Sequence, residues 1–197
     1  MKKALLTIAV VCLAVLVAVP ASAQSKMSLS IGGDVLLPIG DFGNVYSIGF
    51  GGTVRGQYDF TPMFSAGLSA GYFTWTAKDV AAGLVKPSFK GVPIRVFGKY
   101  YFMPEGKLRV YGMAELGLFF WSSEVTLPSF TIPGVGTIGG GTVSATGSDF
   151  SYAPVLGVEV PIGKTTMLDG SVRYDGIATS GSSTGNIGLR LGVKFPL

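Results

Sequence analysis

Histidine is absent from this sequence, and cysteine occurs once, at Cys12. Without His, the chain lacks the commonest general base and the commonest transition-metal ligand. Cys12 lies in an N-terminal segment that reads as a removable leader, so the mature chain has no thiol for a disulfide framework or a Cys-based metal site. Charge is also scarce. Only 13% of residues are charged, against roughly 25% in soluble domains. Setting aside Lys2 and Lys3 of the leader lowers the net charge from +4 to +2, with 13 basic residues against 11 acidic. The remaining Lys and Arg residues are scattered singly. They form no clustered basic face, so the expected partners include no nucleic acid. Neither a catalytic site, a cofactor nor a metal is expected.

Long apolar runs are missing after Val19. Before it, Lys2-Lys3 make a positive start, Ala4 to Val19 an apolar stretch of 16 residues, and Ala21-Ser22-Ala23 a small-x-small cleavage pattern behind Pro20. This is a secretory signal peptide over 1–23, with cleavage expected before Gln24. A retained anchor would need about 20 apolar residues to span a bilayer. Every later apolar stretch is broken within a few residues by a charge, Gly or Pro. If the mature domain, 24–197, spans a membrane, it must do so as a closed barrel. Only helices and closed barrels satisfy all backbone polar groups inside lipid.

What the mature sequence does have is period-2 alternation. Ile187, Leu189, Leu191, Val193 and Phe195 alternate with Asn186, Gly188, Arg190, Gly192 and Lys194. In a strand these two sets point to opposite faces. Seven further runs follow the rule, including Ile48, Phe50, Val54 and Tyr58 against Thr53, Arg55 and Gln57. Short connections, at Asp59 to Pro62, Pro104 to Lys107 and Pro161 to Thr165, carry the Pro, Gly and Asp of tight turns. Longer ones run from Pro38 to Val45, Ala77 to Lys90, Ser123 to Asp149 and Ile177 to Gly185. This pattern predicts an all-β fold: an eight-stranded antiparallel up-and-down transmembrane β-barrel, with short turns on one side and long loops on the other. A lipocalin-like barrel or a secreted sandwich would also alternate. Those folds put charge outside, whereas here the apolar face ends in aromatics that suit a membrane interface.

The polar face carries Asp34, Arg55, Arg95, Lys99, Glu115, Glu159, Asp169, Arg173, Arg190 and Lys194, with Arg109 and Asp175 on the same side. A charge turned to lipid costs several kcal/mol, so these residues are expected inside, as a lumen ion-pair network. Eight strands leave an interior just wide enough for side chains to fill. The leading expectation is therefore a plugged barrel with a structural or surface-interaction role. The alternative is a narrow pore for ions or small solutes. From Val125 to Ser148 the longest connection has no charge at all. It reads either as a flexible surface loop or as a hairpin extending strands five and six beyond the membrane, with an edge for an extracellular partner. Gly139-Gly140-Gly141 lacks the Lys-Ser/Thr of a phosphate loop.

With its strands placed, the chain resembles the OmpA/OmpX-like family of small eight-stranded outer-membrane barrels. The resemblance covers about Lys26 to Leu197. It rests on Leu37-Pro38-Ile39-Gly40-Asp41-Phe42, Val92-Pro93-Ile94, Lys99-Tyr100-Tyr101-Phe102 and Gly157-Val158-Glu159. It implies an outer-membrane location, membrane lipids as partners, and the barrel-assembly machinery as a partner during biogenesis. Family members usually end in an aromatic, whereas here Phe195 is followed by Pro196-Leu197. Small barrels that modify lipid A use a His, which this chain lacks, so no enzyme activity is expected.

Overall fold

The computed structural model describes residues 26–78, 86–132, 136–163, 165–179 and 182–197. The expected signal peptide, 1–23, lies outside them. Eight strands follow one another: β1 (Met27–Ile39), β2 (Tyr46–Asp59), β3 (Phe64–Ala77), β4 (Lys86–Tyr101), β5 (Arg109–Ile132), β6 (Gly136–Pro161), β7 (Met167–Thr179) and β8 (Ser182–Pro196). Each pairs antiparallel with its chain neighbour, and β1 pairs with β8 to close the barrel. The closing seam runs from Ser28↔Pro196 through Asp34↔Arg190 to Ile39↔Gly185. Closure leaves no unpaired edge along the barrel wall.

The two-residue period decides which side of the wall each residue occupies. Leu189 is 53% exposed, whereas Arg190 beside it is 3% exposed and points into the lumen. Ile31, Phe50, Val54, Leu68, Ile94, Val96, Leu116 and Leu156 share the outer face with Leu189. The aromatics of that face gather toward its two ends. Tyr58, Phe60, Phe64, Tyr100 and Phe102 lie near the short turns, and Phe50, Tyr72, Phe120 and Phe150 near the opposite end.

The connections at the far end differ from the expected long loops. Pro38 to Val45 holds the end of β1 and a six-residue helix, α1 (Gly40–Val45). Lys78 ties α1 down by donating from Nζ to the Gly43 carbonyl. Between Ala77 and Lys90, β4 already begins at Lys86, and between Ile177 and Gly185 the strands run on to Thr179 and from Ser182. The stretch from Ser123 to Asp149 is a hairpin: β5 and β6 stay paired from Ser122↔Thr146 out to Ile132↔Gly136. Thr, Val and Ile suit extended backbone and ordinary ladder pairing continues, so the segment lengthens the strands.

Beyond the wall this ribbon has no further strand partner among the described residues. The last β4 partner of β5 is Thr126, opposite Lys86, and the last β7 partner of β6 is Phe150, opposite Ala178. Replacing Leu127 to Gly141 by Asn-Gly should therefore leave the barrel folded. Thr126 and Thr142 already face each other in register, and Asn-Gly supplies a two-residue hairpin turn. Heat-modifiable gel mobility checks this, and a variant that never gains the folded mobility would make the ribbon part of the wall.

Candidate functional site

The lumen is where side chains with chemistry meet. All ten charged residues expected there point into it and are buried, as is Asp175. They form three groups, ordered from the short-turn end. In the first, Glu159 accepts from Lys99 at 2.8 Å and Lys194 at 3.2 Å, with Arg109 at 3.7 Å. Tyr101 donates its hydroxyl to Glu159 at 2.9 Å and accepts from Lys194 at 3.0 Å. In the second, Asp169 takes Arg190 at 2.8 Å and the Tyr111 hydroxyl at 2.6 Å, while Arg55 sits 3.1 Å from Glu115 and 3.7 Å from Asp169. In the third, Arg95 lies 2.6 Å from Asp175 and 3.4 Å from Glu115, and Arg173 spans Asp175 at 2.7 Å and Asp34 at 3.2 Å.

Backbone choices make room for these long side chains. A Cβ on Gly32 would fall 2.8 Å from the Arg190 guanidinium carbon, and one on Gly192 would fall 2.9 Å from both of its terminal nitrogens. Two glycines on adjacent strands thus open the space that Arg190 fills on its way to Asp169 and Ser30.

Above the third group the lumen turns apolar. Leu36, Phe73, Trp75, Phe119 and Ile177 form a buried layer, and Phe42 of α1 packs onto it with Tyr46, Phe89 and Trp121. Phe42 meets Trp75 and Phe89 edge-on at 5.5 and 5.3 Å. The Trp75 indole donates to Asn186 at 3.1 Å. The space between this layer and Arg95 and Asp175 has no volume open to a water molecule. A second apolar cluster (Phe97, Tyr101, Tyr111, Met113, Ala153 and Val155) lines the β4–β6 side lower down.

Of these inward residues the alternation in the sequence places Tyr111 and Trp121 on the face of Arg109 and Glu115, and leaves out the rest because it treats the inner face as polar. The signal was present as adjacent apolar pairs: Leu36-Leu37, Tyr72-Phe73, Phe119-Phe120 and Val155-Leu156. In a strand, one member of each pair must point inward. Among the described residues no cluster of three or more acidic or Cys side chains could hold a metal ion.

A closed eight-stranded wall, apolar and girdled with aromatics outside and charged inside, has the anatomy of a barrel built for lipid. The outer membrane protein beta-barrel domain family matches residues 9–195. The chain belongs to that family. The barrel lies in the outer membrane of a Gram-negative-type envelope, with its lipid-facing wall outside. The same fold occurs in Neisserial surface protein A (14% identity, 89% of this chain and 100% of that one, TM-score 0.60). Ail, the attachment invasion locus protein of Yersinia pestis, also shares it (17% identity, 88% and 100%, TM-score 0.53), as does a major outer membrane protein of Thermus thermophilus (15%, 86% and 98%, TM-score 0.56). A comparison with curated protein sequences finds no match.

In outer-membrane barrels short turns face the periplasm and longer connections face outward. Just above Tyr72, Val92 and Phe120 the outer wall becomes polar, with Thr74, Lys90 and Ser122 side by side in register. Lys90 pairs with Glu124 at 3.9 Å, both half-exposed. That row marks the top of the apolar band, so the β5–β6 ribbon beyond it stands outside the lipid.

Proposed function

We propose that the protein is a closed, non-conducting scaffold of the outer membrane that holds the β5–β6 hairpin outward for surface interaction. The observation that carries this reading is the filled lumen: three groups of buried ion pairs beneath an apolar layer capped by α1. A conducting path would need a continuous file of water, and the aromatic layer leaves none between Leu36, Phe73, Trp75 and Phe119. On the outside, β6 offers an edge from Thr142 to Asp149 that is unpaired among the described residues and has no Pro or Lys to block strand addition. An extended segment of an extracellular partner is the fitting occupant. This reading assigns the chain no catalysis.

Planar-bilayer recording tests the closed lumen. The folded protein should give no steady openings, and large, long-lived conductance steps would replace this reading with the narrow pore. Surface pull-down with the intact protein and with a variant in which Asn-Gly replaces Ser122 to Thr146, between the facing pair Trp121 and Gly147, tests the hairpin, and a partner captured equally by both would remove it. The reading also includes export by the segment 1–23 and delivery to the barrel-assembly machinery through β8. Mass spectrometry of the mature chain should find Gln24 at its N-terminus.

A further inference from the structure

At the periplasmic mouth one carboxylate serves three cations. Higher in the lumen, Arg55, Arg95, Arg173 and Arg190 face Asp34, Glu115, Asp169 and Asp175, four against four among the described residues. At the mouth Lys99, Lys194 and Arg109 share Glu159, which is fully buried. Asp59, the next acid at that end, accepts from Gln57 and Ser65 and pairs with no cation among the described residues. Glu159 alone leaves two of these charges over, and one remains once Asp59 is counted, which Gln57 links to Tyr101, in a place where an uncompensated charge is costly.

The two lysines are held inside: Lys99 stands over the Tyr111 ring at 4.0 Å, and Lys194 donates to Tyr101. Arg109 is the member that reaches the opening, with its side chain 21% exposed. Its guanidinium carbon stands 4.1 Å from the centre of the Tyr101 ring, a cation–π contact that holds the group at the mouth. Its Nε is buried and has no hydrogen-bond partner among the described residues. A partly exposed guanidinium with an unpaired donor, backed by two ammonium groups, matches an oxyanion. Inorganic phosphate or a phosphomonoester, which carries about −1.5 to −2 at pH 7, would neutralise this excess.

We propose that the periplasmic mouth is an oxyanion-binding site, in which Arg109, with Lys99 and Lys194 behind it, takes a phosphate-class group from the periplasmic side. The group has two possible sources, free phosphate and a phosphomonoester lipid of the inner leaflet. The site is independent of what the hairpin binds and of whether the lumen conducts.

The test uses the mature chain folded in phosphatidylcholine nanodiscs. The midpoint of heat-induced loss of the folded band is followed against inorganic phosphate, with chloride at matched ionic strength for comparison. Phosphate should raise the midpoint saturably, as ligand binding to the folded state requires, and chloride should not. Arg109→Met should weaken the apparent phosphate affinity about tenfold or more, as loss of a charge-assisted hydrogen bond implies. Lys107→Met, an exposed cation on the neighbouring turn, should leave it unchanged. Should Arg109→Met fail to fold, Lys194→Met must show the same weakening. In discs doped with phosphatidic acid, a midpoint already raised and indifferent to added phosphate assigns the site to lipid. A full response to added phosphate there assigns it to the free anion. Equal effects of phosphate and chloride, or a phosphate response undiminished in Arg109→Met, would overturn the proposal.

Discussion

Replacing Glu159 by Leu should destabilise the folded barrel by about 3–5 kcal/mol, the scale for leaving one side of a buried ion pair without its partner. Glu159 accepts from Lys99, Lys194 and Tyr101, with Arg109 a little farther away. Leu would remove the one anion these cations share and leave two lysines repelling each other in a space of low polarity. Removing Lys99 as well should restore part of the loss, because the repulsion falls when one of the pair is gone. Urea titration of the folded band, compared across the single and double variants, measures both effects. A loss below about 1 kcal/mol in the single variant would mean that the lysines find water, as charge pairs in wet surroundings do. The periplasmic end of the lumen would then be wet, and closure would rest on the apolar layer of Leu36, Phe73, Trp75, Phe119 and Ile177 alone.

The second large effect belongs to the opposite side of the barrel wall, on β8. Leu189→Arg places a guanidinium on the lipid face of β8, where Leu189 is 53% exposed. Near the membrane midplane this should cost about 2–4 kcal/mol. Its neighbour Arg190, turned inward, bonds to Asp169 at 2.8 Å and Ser30 at 2.7 Å. Arg190→Leu should therefore permit insertion while weakening the folded state. The two substitutions separate by readout: insertion into vesicles falls for the first, and resistance to urea falls for the second. A harmless Leu189→Arg together with an Arg190→Leu that cannot insert would reverse the inside and outside of the wall.

That reversal is hard to reconcile with the sequence, because period-2 alternation is the feature of this fold most plainly written there. Alternation in Ile187 to Phe195 fixes β8 and its facing. Balanced charge on one face means the lumen, because lipid rejects charge. The number of strands followed from counting such runs. Two things did not follow. One was the choice between loop and extended hairpin for Val125 to Ser148, because the stretch keeps β-forming residues but loses the polar-apolar contrast that marks a strand. The other was the apolar content of the lumen. Leu36 on β1 joins Ile177 on β7 in one layer with Phe73, Trp75 and Phe119 only when the barrel closes, and no local pattern encodes that meeting. Which cation takes which carboxylate was equally hidden, since Arg95 reaches Asp175, a residue 80 positions away.

Those long separations set the order of events during assembly. Ser30 and Arg190 are 160 residues apart, and Lys99 and Glu159 are 60 apart. A barrel with β8 not yet docked still owes Asp169 its Arg190, Glu159 its Lys194 and the β1 edge its entire ladder. No partial sheet is therefore self-sufficient in lipid: its charges are unmatched as well as its hydrogen bonds. Arrival of the last strand satisfies both at once. Insertion should then be all-or-none in time, with any half-built form confined to a surface where water or an assembly factor shields its inner face.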